Sequence, residues 1–194
     1  LYAQGQLQNA LYESTQMLER FPNSVVLHNI AGASNAGLMQ FDAAIACYTQ
    51  ALKIKPDYAD AYNNMGAVLQ DMGDLEAAID SYKQALKIKP DYADAYNNIG
   101  NALKDKGDLD AAIDSYQQAL KIKPNYADAY YNMGISLHEK GDLEAAIGSY
   151  KQALKIKPAY ANAYNNMGIS LQDKDDLEAA IDSYQQALKI KPDY

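Results

Sequence analysis

The chain has 194 residues, 25 acidic against 17 basic, a formal charge of −8 and a single cysteine. That balance argues against nucleic acid or an anionic membrane surface as partner, and one cysteine excludes an intrachain disulfide. No stretch is apolar and long enough to cross a bilayer, and no signal peptide is visible.

Taken in chain order, the first segment, residues 1–24, carries one apolar helical arc and ends at Phe21-Pro22. It reads as a half unit that supplies only the second helix of a pair. Residues 25–58 form a looser full unit. Residues 59–92 and 93–126 then agree at 26 of 34 positions, and the pattern returns at 127–160 and 161–194. A fixed period of this size specifies a stacked array of supersecondary units. We number positions within the unit from 1 at Val25, Ala59, Ala93, Ala127 and Ala161.

Each unit predicts two helices. Tyr62, Met65, Gly66 and Leu69 (positions 4, 7, 8 and 11) fall on one helical face, and Leu75, Ala78, Ile79, Tyr82, Ala85 and Leu86 form an arc on a second helix. Gly73 suits a left-handed helix end and Asp74 an N-cap. Pro90 stops the second helix. Gly66 and Ala78 leave room for Tyr62 and Tyr82, a large/small alternation that specifies close antiparallel packing. Asp175 stands at the turn where Gly73, Gly107 and Gly141 stand, at a cost in backbone conformation. Unit 25–58 departs at His28, Ala31 and Asn35, so its fit to the next unit is expected to be less regular. Asp57/Asp60 and Asp91/Asp94 have the spacing of a cap box.

The residues Tyr96, Ile99, Gly100, Leu103, Ala112, Tyr116, Ala119 and Pro124, repeated as Tyr130, Met133, Gly134, Leu137, Ala146, Tyr150, Ala153 and Pro158, resemble the pattern of the tetratricopeptide repeat (TPR) family. The resemblance implies an all-α fold: a right-handed α-solenoid, or superhelix, of antiparallel helix pairs, eleven helices in total. It also implies that the arc of positions 2, 5, 6, 9, 12 and 13 on each first helix lines a concave face that grips ligands.

On that arc, position 6 is Asn64, Asn98, Asn132 and Asn166, and position 5 is Asn63, Asn97, Tyr131 and Asn165. A primary amide presents donor and acceptor side by side and suits a peptide backbone. The column resembles the asparagine ladder in the superhelical arm of O-linked N-acetylglucosamine transferase. Asn101 joins the arc at position 9. Asp71, Asp105, Glu139 and Asp173 at position 13, beside Asp60, Asp94 and Asp128 at position 2, form an acidic rail that favours a basic peptide. Unit 127–160 departs with Tyr131, Ile135 and His138, continued by Ile169, a group suited to a side-chain pocket.

No nucleophile–base pair or phosphate-binding loop is present, and His28 and His138 lack ligand partners at metal spacing. The expected function is a protein–protein interaction scaffold holding an extended, basic peptide, with no cofactor, no metal and no catalytic residue, in the cytoplasm. The alternatives are the non-catalytic arm of a larger enzyme, glycosyltransferase- or sulfotransferase-like, and a self-assembling array joined end to end. A chain that starts within a half unit reads as a fragment of a longer protein.

Overall fold

The computed structural model describes residues 2–193. Eleven helices and no strand lie among the described residues: α1 (Tyr2–Arg20), α2 (Val25–Gly37), α3 (Phe41–Ile54), α4 (Ala59–Asp71), α5 (Leu75–Ile88), α6 (Ala93–Asp105), α7 (Leu109–Ile122), α8 (Ala127–Glu139), α9 (Leu143–Ile156), α10 (Ala161–Asp173) and α11 (Leu177–Ile190). The chain forms two compact units, Leu1–Ala95 and Tyr96–Tyr194, with the boundary inside α6.

The turn chemistry works as the residues require. Gly73, Gly107 and Gly141 adopt φ of 84°, 83° and 88°. Beyond each, an aspartate N–H returns to the first helix, as Asp74 N–H does to the Leu69 carbonyl at 2.9 Å. That six-to-one bond satisfies a carbonyl the helix end would leave open. The same aspartates cap the second helices, Asp74 accepting from the Ala77 N–H at 3.1 Å and Asp142 from the Ala145 N–H at 3.2 Å. Two units lack the glycine. Asp175 takes φ 63° as its residue type allows, and Met39, whose place in the turn the sequence pattern did not flag, takes φ 60° while 75 % exposed.

The cap-box spacing of Asp57 and Asp60 does not produce a cap. Tyr58 occupies the N-cap of α4 with no side-chain bond. Asp60 instead accepts a hydrogen bond from the Tyr92 hydroxyl at 2.9 Å, tying the end of the unit to the start of its own first helix. The position 2 carboxylate therefore has a structural partner in this unit.

Packing within each pair rests on glycine at position 8. A Cβ built on Gly66 would lie 2.7 Å from the Tyr82 ring, and on Gly134 2.6 Å from Tyr150. Even alanine is too large there. Tyr48 and Tyr82 in the first unit, and Tyr116 and Tyr150 in the second, are consequently buried. Around them lie Ala44, Ala61 and Val68 in the first unit, and Ile113, Leu154, Met167 and Leu171 in the second. α1 runs for 19 residues against 14 in the other second helices. Its buried Ser14 stands where those helices carry the tyrosine.

Candidate functional site

The second helices aim their position 24 tyrosines across the glycines toward the first-helix face. The Tyr116 hydroxyl donates to Asn101 Oδ1 at 2.8 Å, and those of Tyr82 and Tyr184 to Gln70 and Gln172 at 3.1 and 3.0 Å. Asn101, expected on the arc for ligand, thus serves the core tyrosine of its own unit.

The asparagine column is engaged between neighbouring units. Asn64 Nδ2 donates to Asn29 Oδ1 at 3.2 Å, Asn132 Nδ2 to Asn97 Oδ1 at 3.1 Å and Asn166 Nδ2 to the Tyr131 hydroxyl at 3.2 Å. Each bond runs from position 6 of one unit to position 5 of the unit before it. Position 5 lies deeper than a freely accessible groove residue, with Asn63 8 % and Asn97 5 % exposed. Asn165 Nδ2 donates to Asn166 Oδ1 at 3.3 Å, and Asn97 Nδ2 to Asn98 Oδ1 at 3.5 Å. Because an amide has two N–H donors and two acceptor lone pairs, Asn132 and Asn166 retain hydrogen-bonding capacity, and both are only half-buried.

Between α8 and α10 lies a cleft of about 120 Å³ lined by Ile135, His138, Glu139, Tyr150, Asn166 and Ile169. Three of these, Ile135, His138 and Ile169, are the residues by which the sequence departs from its own repeat. Tyr131, expected with them, is absent from the lining. Its ring packs against Tyr160 at 4.8 Å and Tyr150 at 6.1 Å between centroids. The sequence pattern did not offer Tyr150 as a site residue. Its signal was the glycine at position 134, which lets the ring form the floor of the cleft. The first unit builds a cleft from the same positions, with Ala33, Ala36 and Gly37 in place of Ile135, His138 and Glu139, and Ala67 in place of Ile169. The smaller side chains leave a wider space of about 290 Å³, edged by Asp71.

His138 is fixed at the rim of the α8/α10 cleft. Ser170 donates to the Asn166 carbonyl at 3.1 Å, so its oxygen is open to the His138 Nδ1–H at 2.9 Å. The other ring nitrogen lies 3.6 Å from Asp173. Asp105 pairs with Lys104 at 2.8 Å. Glu139 has no cationic partner among the described residues. Burial, with a smaller contribution from the neighbouring Tyr131, pushes the Tyr150 hydroxyl well above its ordinary pKa, so the floor stays neutral. Cys47 is half-buried beside Asn35, and burial pushes its thiol up. Among the described residues no cluster of metal-ligating side chains forms, and no helix is long and apolar enough to cross a membrane.

The pattern of the TPR repeat family matches residues 40–73, 71–107, 100–141 and 136–175, and that of the tetratricopeptide repeat matches 161–194. Comparison with proteins of curated function finds no match. Among solved structures, MamA is 30 % identical, with 83 % of this chain and 94 % of that one aligned at a TM-score of 0.75. YrrB, described as a TPR protein with an unusual peptide-binding site, is 23 % identical over 93 % of each chain, TM-score 0.70. PilF of Pseudomonas aeruginosa aligns with 100 % of this chain and 88 % of its own at 18 % identity, TM-score 0.83. Four matches to one repeat pattern and a fifth to a second, on a chain built of antiparallel helix pairs with glycine under tyrosine, place this protein in the tetratricopeptide repeat family of protein-interaction scaffolds.

Proposed function

We propose that the face formed by α6, α8 and α10 within residues 96–194 binds an extended, basic segment of a partner protein. The observation that carries this reading is the pair of half-buried amides, Asn132 and Asn166, together with the carboxylate of Glu139, which lines one cleft with Asn166 and has no cationic partner among the described residues. The amides suit a peptide backbone, and the acidic residues at position 13 select its charge. Packed helices stand roughly 8–10 Å apart. Three residues of a polyproline II segment rise about 9 Å and bring every third side chain back to the same side. One amide per repeat fits that spacing.

The test is fluorescence anisotropy with labelled extended peptides rich in Lys or in Glu. Basic peptides are expected to bind at micromolar concentration, about −8 kcal/mol, and to weaken with salt and with Glu139→Gln plus Asp173→Asn. Equal binding of acidic peptides, or no binding at millimolar concentration, rejects the reading.

A second reading concerns self-association. Ile147 and Leu154 of α9 are 7 % and 8 % exposed, whereas their counterparts on α11, Ile181 and Leu188, are 56 % and 46 % exposed, and Leu177 is 58 % exposed. We propose that, in this 194-residue chain, a second copy covers the apolar face of α11 at high concentration.

A further inference from the structure

Resting on the peptide-binding reading, we propose that the α8/α10 cleft is a socket for one lysine side chain, its methylene stem between Ile135 and Ile169 and its ammonium against Glu139. Three observations converge on that occupant. The cleft holds about 120 Å³, a narrow space that suits an unbranched four-carbon stem. Its walls are mixed: two isoleucines and the Tyr150 ring on the inside, His138, Glu139 and Asn166 at the edge. A lysine presents the same division, an apolar stem and a charged head.

Charge separates lysine from an aliphatic occupant. Asp105 pairs with Lys104 and Asp173 lies 3.6 Å from a ring nitrogen of His138, but Glu139 has no cationic partner among the described residues. Leucine or methionine would fill the apolar part of the cleft but form no ion pair with that carboxylate, whereas the lysine head reaches it. The equivalent cleft of the first unit has Gly37 at the position of Glu139 and alanines for both isoleucines. The socket is therefore a feature of the divergent repeat and not of the fold.

The test uses Nα-acetyl-lysine methylamide and its norleucine counterpart, read on the isoleucine methyl NMR signals of the whole chain. The lysine compound is expected to shift the Ile135 and Ile169 methyls saturably at millimolar concentration and to bind at least about threefold more tightly than the norleucine compound. Glu139→Gln should bring lysine to the norleucine level. Glu139 is exposed, so the variant is expected to fold, which circular dichroism checks. Equal binding of the two compounds, a lysine effect untouched by Glu139→Gln, or no shift at these two methyls overturns the socket. If the fragment binds and extended basic peptides do not, the peptide-binding reading falls and the socket stands. If peptides bind but show no preference for lysine over norleucine at any position, the socket falls and the peptide-binding reading stands.

Discussion

The ring of Tyr150 lies over Gly134 so closely that a methyl group added to the glycine would sit 2.6 Å from the ring. The tyrosine is 1 % exposed and is packed among Ile113, Leu137 and Met167, so it cannot swing away. Gly134→Ala is expected to cost about 1–3 kcal/mol through overpacking. Gly148, on the exposed side of α9, has nothing within 4 Å of its would-be Cβ. There Gly148→Ala should gain about 0.5–1 kcal/mol of helix propensity. Urea denaturation of the two variants checks the opposite signs.

The bond from Asn132 to Asn97 changes what an asparagine substitution measures. Asn132→Ala leaves the Oδ1 of the buried Asn97 without its 3.1 Å donor. A loss of about 1–3 kcal/mol is expected. Asn97→Ala combined with Asn132→Ala should lose less than the sum of the single changes. A double-mutant cycle by chemical denaturation reads the coupling. An additive result would show that the bond contributes nothing in solution.

The two strained turns predict stabilising substitutions. Met39 and Asp175 hold left-handed backbone that glycine adopts freely. Met39→Gly is expected to raise stability by about 1 kcal/mol, and Asp175→Gly by less, because aspartate tolerates that region better than methionine. Both residues are exposed, so little packing is lost. Thermal melting of the single variants tests the order.

Alkaline pH should unfold this chain. Burial raises the hydroxyl of Tyr48 to about 12 and pushes those of Tyr116 and Tyr150 well above their ordinary range. In the unfolded chain tyrosine ionises near pH 10. Above that pH the unfolded state holds fewer protons than the folded one, so stability falls as pH rises. The contribution is complete below about pH 10 and is lost on approach to the folded-state values. Denaturation midpoints measured from pH 8 upward should stay level as far as these groups go and then drop, together with a rise in tyrosinate absorbance. A level midpoint beyond pH 11 would contradict the burial of these rings.

If a second copy covers α11, the apparent mass by light scattering should rise with concentration. Leu177→Lys plus Ile181→Lys should return it to the monomer value. A monomer at every concentration, with or without those changes, removes that reading.

The sequence by itself determined the helix pairs, the turns between them and the packing of glycine under tyrosine. These depend on neighbours within one unit, where helical periodicity, a proline stop and an aspartate cap fix which atoms meet. It also singled out Ile135, His138 and Ile169, because a departure from a strict repeat is visible without coordinates. Only the tertiary structure decided what the polar residues do. Asn132 and Asn97 are 35 residues apart in the chain, and whether their amides face a ligand or each other depends on how closely two first helices approach. For the same reason Tyr131 leaves the cleft for a ring stack, Asn101 serves Tyr116, and Asp60 serves Tyr92 instead of a helix cap. Periodicity states which face a side chain is on; the separation and rotation of neighbouring units set which of the possible partners lies within a hydrogen bond's length.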